Sequence, residues 1–104
     1  MSKKIVLSEG AYFDIDSMFA YISADNKEAA ENLRLRIYEA IKKLSEFPEL
    51  GSIIQEEDAP GVKRGYRRVS VNPYLIFYRI LEDRIVIARV LHSRQNWLQS
   101  LLEG

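Results

Sequence analysis

The chain has no cysteine, one histidine, one tryptophan and no long apolar run in its 104 residues. Without cysteine there is no disulfide, no thiolate metal site and no cysteine nucleophile. A lone histidine leaves too few soft ligands for a structural zinc. There is no glycine-rich phosphate loop and no nucleophile elbow, so neither a metal nor a cofactor is expected. No stretch approaches the roughly 18 apolar residues of a membrane span. The start, Met1-Ser2-Lys3-Lys4, lacks the apolar core of a signal peptide. These absences lead us to expect a small soluble cytoplasmic domain with no membrane partner. What is present, 47% hydrophobic residues, suffices for one core and one domain over residues 1–104.

Net charge is absent too, but the zero conceals two halves. Residues 1–61 hold seven lysines and arginines against twelve acids, whereas residues 62–97 hold eight against two. Seven of those eight are arginines, whose planar fork suits phosphate and carboxylate. The asymmetry points to an anionic partner for the second half, against a background of ordinary surface charge.

The apolar residues have clear periods. Ile5-Val6-Leu7 reads as a short strand closed by Ser8 as a helix N-cap. Ile15, Met18, Phe19 and Ile22 recur at i, i+3, i+4, i+7 and predict a helix, with Asp14 and Asp16 on its solvated side. Asp25 and Glu28 resemble a capping box. A second stripe follows, Ala30, Leu33, Ile37, Ile41 and Leu44, stopped by Phe47-Pro48 and Gly51. Residues 52–65 read as a loop. Three β-rich runs follow, Tyr66 to Val71, Tyr74 to Leu81 and Arg84 to Leu91, with turns at Asn72-Pro73 and Glu82-Asp83. The last two are apolar almost throughout, which fits a sheet covered on much of both faces. A short C-terminal helix groups Trp97, Leu98, Leu101 and Leu102. The order β-α-α-β-β-β-α defines an α+β fold, a small, largely antiparallel sheet packed on an N-terminal antiparallel helical hairpin.

Candidate functional residues cluster late. His92, flanked by Arg89 and Arg94, has the chemistry to move a proton while guanidinium groups hold a phosphate; it equally fits a strand end bonded to its own backbone. Arg67 and Arg68 are adjacent in a strand, so at most one of them faces a given partner. That strand reads as phosphate-binding or as merely solvated. Trp97 suits stacking on a base, a partner's pocket, or packing beside its leucines. Glu56, Glu57 and Asp58 belong to a polar loop.

In order along the chain, "FDIDSMFAYISADNKEAAENL", "FPELG", "YRRVSVNPYLIFYRI" and "IVIARVLHSRQNW" together resemble the ParE branch of the ParE/RelE toxins of bacterial type II toxin–antitoxin systems, over about residues 5 to 98. The resemblance implies a growth-inhibiting toxin, a sheet backed by a helical hairpin, and a cognate antitoxin as partner. It leaves two activities open. Members like ParE poison DNA gyrase; members like RelE cut messenger RNA on the ribosome with basic residues and sometimes a histidine or tyrosine. The arginine that RelE-like toxins carry just after the aromatic of the "NPYLIFY" strand is here Leu75, while Arg94, beside His92, matches the basic position near the end of the last strand. This favours gyrase, with Arg67, Arg68, Arg89, His92, Arg94 and Trp97 as target-binding residues. Under the ribonuclease alternative the catalytic set is Arg67, Arg68, His92 and Arg94. A third reading is an inactive homologue that serves only as partner of an antitoxin repressor. A homodimer and a toxin–antitoxin hetero-oligomer both stay open.

Overall fold

A computed structural model describes residues 2–103; the ends of the expected 1–104 domain, Met1 and Gly104, lie outside the described residues. The chain runs β1 (Lys4–Leu7), α1 (Glu9–Ser23), α2 (Lys27–Glu46), β2 (Ser52–Ile53), β3 (Tyr66–Val71), β4 (Tyr74–Ile80), β5 (Arg84–His92) and α3 (Trp97–Glu103). The five strands form one sheet in the order β1-β5-β4-β3-β2. Only β1 and β5 pair in parallel, and every other neighbour is antiparallel. The fold is thus the expected α+β arrangement, with a helical hairpin on one face of the sheet.

Local chemistry sets the element ends. Ser8 is extended, and its hydroxyl accepts from the Ala11 N–H at 3.0 Å, satisfying a donor that the first helical turn leaves free. The same hydroxyl donates to the Ala88 carbonyl at 2.7 Å, so one side chain both starts α1 and pins it to β5. The second cap lies one residue later than the sequence suggested. Asn26, not Asp25, is the N-cap of α2, its amide oxygen accepting from the Ala29 N–H at 3.0 Å. Asn26 takes the role because it is the residue with extended backbone at the point where the helix begins.

The expected stripe of α2 (Ala30, Leu33, Ile37, Ile41 and Leu44) is buried throughout. On α1 the buried residues are Ala11, Asp14, Ile15 and Met18, while Phe19 and Ile22 are half-buried. Ala11, Ile15, Met18 and Ile22 of α1 and Leu33, Ile37, Ile41 and Leu44 of α2 meet Tyr74, Ile76 and Tyr78 of β4 and Ile85, Ile87 and Val90 of β5 in the main core. A second cluster, Tyr66, Phe77, Leu91 and Leu101, lies on the other face under α3. Each such aliphatic side chain contributes about 1.5–3 kcal/mol when fully buried, so the apolar β4 and β5 runs are explained by a sheet covered on both sides.

Two features depart from the expected pattern. Residues 52–65 are not wholly a loop: Ser52 and Ile53 pair with Arg68 and Arg67, and a short 3₁₀ turn spans Glu56–Asp58. The final hairpin also carries a bulge. Tyr78 faces Ile87 and Phe77 faces Arg89, leaving Ala88 as the extra residue. The inserted residue shifts the alternation, so Val90 joins Ile85 and Ile87 in the core beneath the hairpin.

Candidate functional site

The bulge lies beyond the last residue of β1, where Leu7 pairs with Ile87, so the end of β5 has a free edge. There Arg89 meets Asp14 of α1. Its Nε donates to Asp14 Oδ2 at 2.7 Å and its Nη2 to Oδ1 at 2.8 Å, a bidentate pair. The Val90 N–H also donates to Asp14 Oδ2 at 2.9 Å. Asp14 is only 8% exposed, which corrects its expected place on a solvated helix face. The hydrogen bond to Asp14 holds the guanidinium above its ordinary pKa, against the opposing effect of burial. Arg89 thereby ties α1 to β5, and a long contact of 3.5 Å from Nη1 to the Ser100 carbonyl reaches α3.

The adjacent arginines of β3 separate as alternation requires. Arg67 turns toward the end of the helical hairpin, where its Nη1 donates to the Gly51 carbonyl at 2.8 Å. Arg68 is exposed on the opposite face, its guanidinium carbon 5.8 Å from the centre of the Trp97 ring. Trp97 in turn stacks on Phe77 with centroids 5.5 Å apart and planes 25° from parallel. Phe77, Trp97 and Arg68 thus form three successive layers, the first fully buried and the last in solvent. With Ser52, Ile53, Ile54 and Asp58 the outer two line a groove of about 360 Å³.

His92 sits at the other end of the sheet. Its ring meets Tyr74 edge-on at 5.2 Å, and its Nδ1 accepts from the Arg94 N–H at 3.1 Å. The His92 N–H donates to Gln95 Oε1 at 2.6 Å. One ring nitrogen is therefore occupied by the turn that follows the strand, and a neutral ring carries its proton on Nε2. The Arg94 side chain is exposed in that turn.

Of the six expected residues, the fold joins Arg68 to Trp97 through side chains and His92 to Arg94 through backbone. Arg67 and His92 pair with Tyr78 and Tyr74 on β4, four residues apart and so about 13 Å along the strand. Arg68 lies on the opposite face from both. Arg89 is committed to Asp14. The cations form a rim around the sheet and do not converge on one point.

Two contributors escaped the sequence reading. Asp14 carried an available signal: Ala11, Asp14, Ile15 and Met18 are themselves spaced i, i+3, i+4, i+7, so a carboxylate fell on the buried stripe and required a cationic partner. The other is a knot around Tyr78. Its hydroxyl donates to the Pro48 carbonyl at 2.7 Å and accepts from the Gly51 N–H at 2.8 Å. Burial raises its pKa, which keeps the proton on the oxygen that must donate. This knot gives "FPELG" a physical reason.

A bulged β5, a hairpin locked to it and a basic rim describe a small α+β domain, and comparison with known proteins gives it a family. The sequence model of the family described as ParE toxin of type II toxin–antitoxin system, parDE, matches residues 5–97. A putative toxin, Y4kP, of Sinorhizobium fredii is 35% identical over 89 residues, covering 84% of both chains. Toxin ParE3 of Caulobacter vibrioides is 32% identical over 84 residues, covering 80% of this chain and 79% of its own. Among solved structures, the chromosomal ParDE toxin–antitoxin system from P. aeruginosa superposes with a TM-score of 0.68 at 20% identity, over 88% of this chain and 96% of that one. The toxin–antitoxin complex RelBE2 from Mycobacterium tuberculosis gives 0.64, also at 20%, over 88% and 99%. At that identity the two structures show the fold alone. The chain belongs to the ParE toxin family of type II toxin–antitoxin systems. Among the described residues no helix is long and apolar enough to cross a membrane.

Proposed function

We propose that this toxin arrests growth by binding DNA gyrase and poisoning it, and that a cognate antitoxin neutralises it. The observation that supports this reading is the dispersal of the would-be nuclease residues. Cleavage of a phosphodiester needs a proton acceptor and phosphate-holding cations within hydrogen-bond reach of one phosphate. Here Arg67 is bonded to Gly51, Arg68 lies on the other face over Trp97, and His92 gives Nδ1 to its own turn. Leu75, standing where RelE-like toxins carry arginine, packs against the cluster under α3.

A protein target also fits the exposed surface. Phe13 and Tyr21 are 68% and 82% exposed on α1, and with Tyr74 and Gln95 they line a groove of about 250 Å³. Aromatic side chains of this kind anchor protein–protein contacts. The antitoxin has its own candidate seat, a groove of about 790 Å³ between α2 and β3. Ala40, Leu50, Val69 and Val71 lie along it, with Arg36, Lys42 and Lys43 outnumbering Glu39 and Glu46, to receive an extended segment that carries apolar and acidic residues.

Induction in cells without antitoxin tests the reading. Growth should stop with plasmid DNA relaxed or cut and transcripts intact. Transcripts cleaved on ribosomes, with plasmid topology unchanged, would move the assignment to RNA cleavage by His92 and Arg94. Normal growth with abundant soluble protein would establish the inactive homologue.

A further inference from the structure

We infer that the sheet face opposite the helical hairpin, at the end carrying Lys4, Arg79 and Arg84, is a contact for the phosphate backbone of duplex DNA. The inference rests on the gyrase reading, since DNA is the substrate of gyrase. Alternation decides which side chains share this face. Ile5, Leu7, Ile85 and Ile87 pack toward the hairpin, so Lys4 and Val6 of β1 and Arg84 and Val86 of β5 point the other way. The register brings them together. Lys4 pairs directly with Arg84, and Arg79 pairs with Val86 on one side and Tyr66 on the other. Arg84 is two residues from Val86, hence diagonal to Arg79 and within about 7–8 Å. Three cations from three neighbouring strands thus stand over Val6 and Val86.

Arg79 carries the specific signal. Its guanidinium carbon is 5.7 Å from the centre of the Tyr66 ring, which holds the side chain down on the sheet. Among the described residues its Nε is the buried side-chain polar atom without a hydrogen-bond partner. Nε itself is closed to solvent, so a phosphate would meet Arg79 through the outer nitrogens of its fork. The nearest acids in sequence are Glu82 and Asp83 of the β4–β5 turn. Asp83 meets Arg84 at 3.2 Å in an exposed pair, which water screens.

The anion is better matched by DNA than by an acidic protein. The large exposed hydrophobic side chains lie on the helices, β2 and the loop before it, as with Tyr12, Phe13, Tyr21, Ile53 and Leu102. This end of the sheet offers half-buried valines and cations instead. A contact made of charge without aromatic anchors is the signature of phosphate-backbone binding, whereas a protein partner draws on apolar anchors.

Fluorescence anisotropy with a labelled DNA duplex, titrated across salt, tests this. Wild-type protein should bind with an affinity that falls steeply with salt. The Lys4→Gln/Arg79→Gln/Arg84→Gln variant should bind about 100-fold more weakly near 0.1 M salt, with a logarithmic salt slope shallower by about three. The double variant Lys4→Gln/Arg84→Gln alters two exposed side chains only and should show an intermediate loss, so the test survives if the triple variant fails to fold. Absence of DNA binding by the wild type, or equal binding by the variants, overturns the inference. So does equally tight binding of an RNA duplex or polyglutamate. If the wild type poisons gyrase and the double variant does so undiminished, the DNA contact is wrong and the gyrase reading stands. A wild type that leaves gyrase unimpaired removes that reading and the inference with it.

Discussion

Replacing Arg89 with alanine is expected to cost the fold about 3 kcal/mol or more, because it strands a buried carboxylate. Asp14 would keep the Val90 N–H and lose both guanidinium bonds. The pair has side-chain exposures of 22% and 6%, so water can do little to replace the lost partner. At this chain length such a loss lowers the melting temperature by roughly 15 °C. Arg89→Lys should recover only part of it, since an ammonium cannot span both oxygens. The double variant Asp14→Ala/Arg89→Ala should lose less than the two single losses together, because it removes the stranded charge with its partner. Urea denaturation of the wild type, Arg89→Ala, Arg89→Lys, Asp14→Ala and the double variant measures this directly. A single-variant loss under about 1 kcal/mol would mean that the pair is as weak as a surface salt bridge.

Gly51→Ala is expected to be comparably damaging, for reasons of space. Gly51 has ordinary extended backbone, φ −77° and ψ 155°, so conformation is no obstacle. The obstacle is what a Cβ would meet: the Tyr78 hydroxyl at 2.6 Å and the Arg68 carbonyl at 2.7 Å. The second of these is backbone in a paired strand and cannot move without breaking the β2–β3 pairing. Forced overpacking costs about 1–3 kcal/mol. Displacing Tyr78 would add the loss of its bonds to Gly51 and Pro48, where an unsatisfied buried partner costs about 1–3 kcal/mol. Tyr78→Phe separates the two effects, since it removes the hydroxyl, leaves room, and should cost only the hydrogen-bond part. Thermal unfolding of both variants checks the ranking, which fails if Gly51→Ala is the milder of the two.

The parts of the fold that were legible in the sequence are those set by period. Ala30, Leu33, Ile37, Ile41 and Leu44 announce α2 because a helix repeats its buried face at that spacing. The β3 and β5 runs stand out because β-branched and aromatic residues are bounded by turns. What could not be read depends on contacts between distant residues. Ser52-Ile53 becomes a strand only because Arg67 and Arg68 lie alongside, and two residues have no period. The face of β4 turned toward the helices was undecidable, because Tyr74, Ile76 and Tyr78 are as apolar as Leu75 and Phe77. The choice is made by which set the hairpin covers. The bulge at Ala88 left no mark in composition, yet it carries Val90 into the main core.

The site was legible in kind and not in arrangement. A basic second half was plain, and so was the pairing of His92 with a local turn as one of its two readings. That Arg89 would be consumed by Asp14, 75 positions away, could be inferred only by noticing a carboxylate on a buried stripe. That Arg68 would meet Trp97 required α3 to fold back over Phe77.

The gyrase reading is tested most directly by a supercoiling reaction with purified gyrase and purified toxin, with and without ATP, scored for relaxed and cleaved plasmid. Loss of supercoiling together with accumulation of cleaved plasmid is the expected result. Full supercoiling by gyrase, in the presence of a toxin preparation shown to arrest growth in cells, would contradict it.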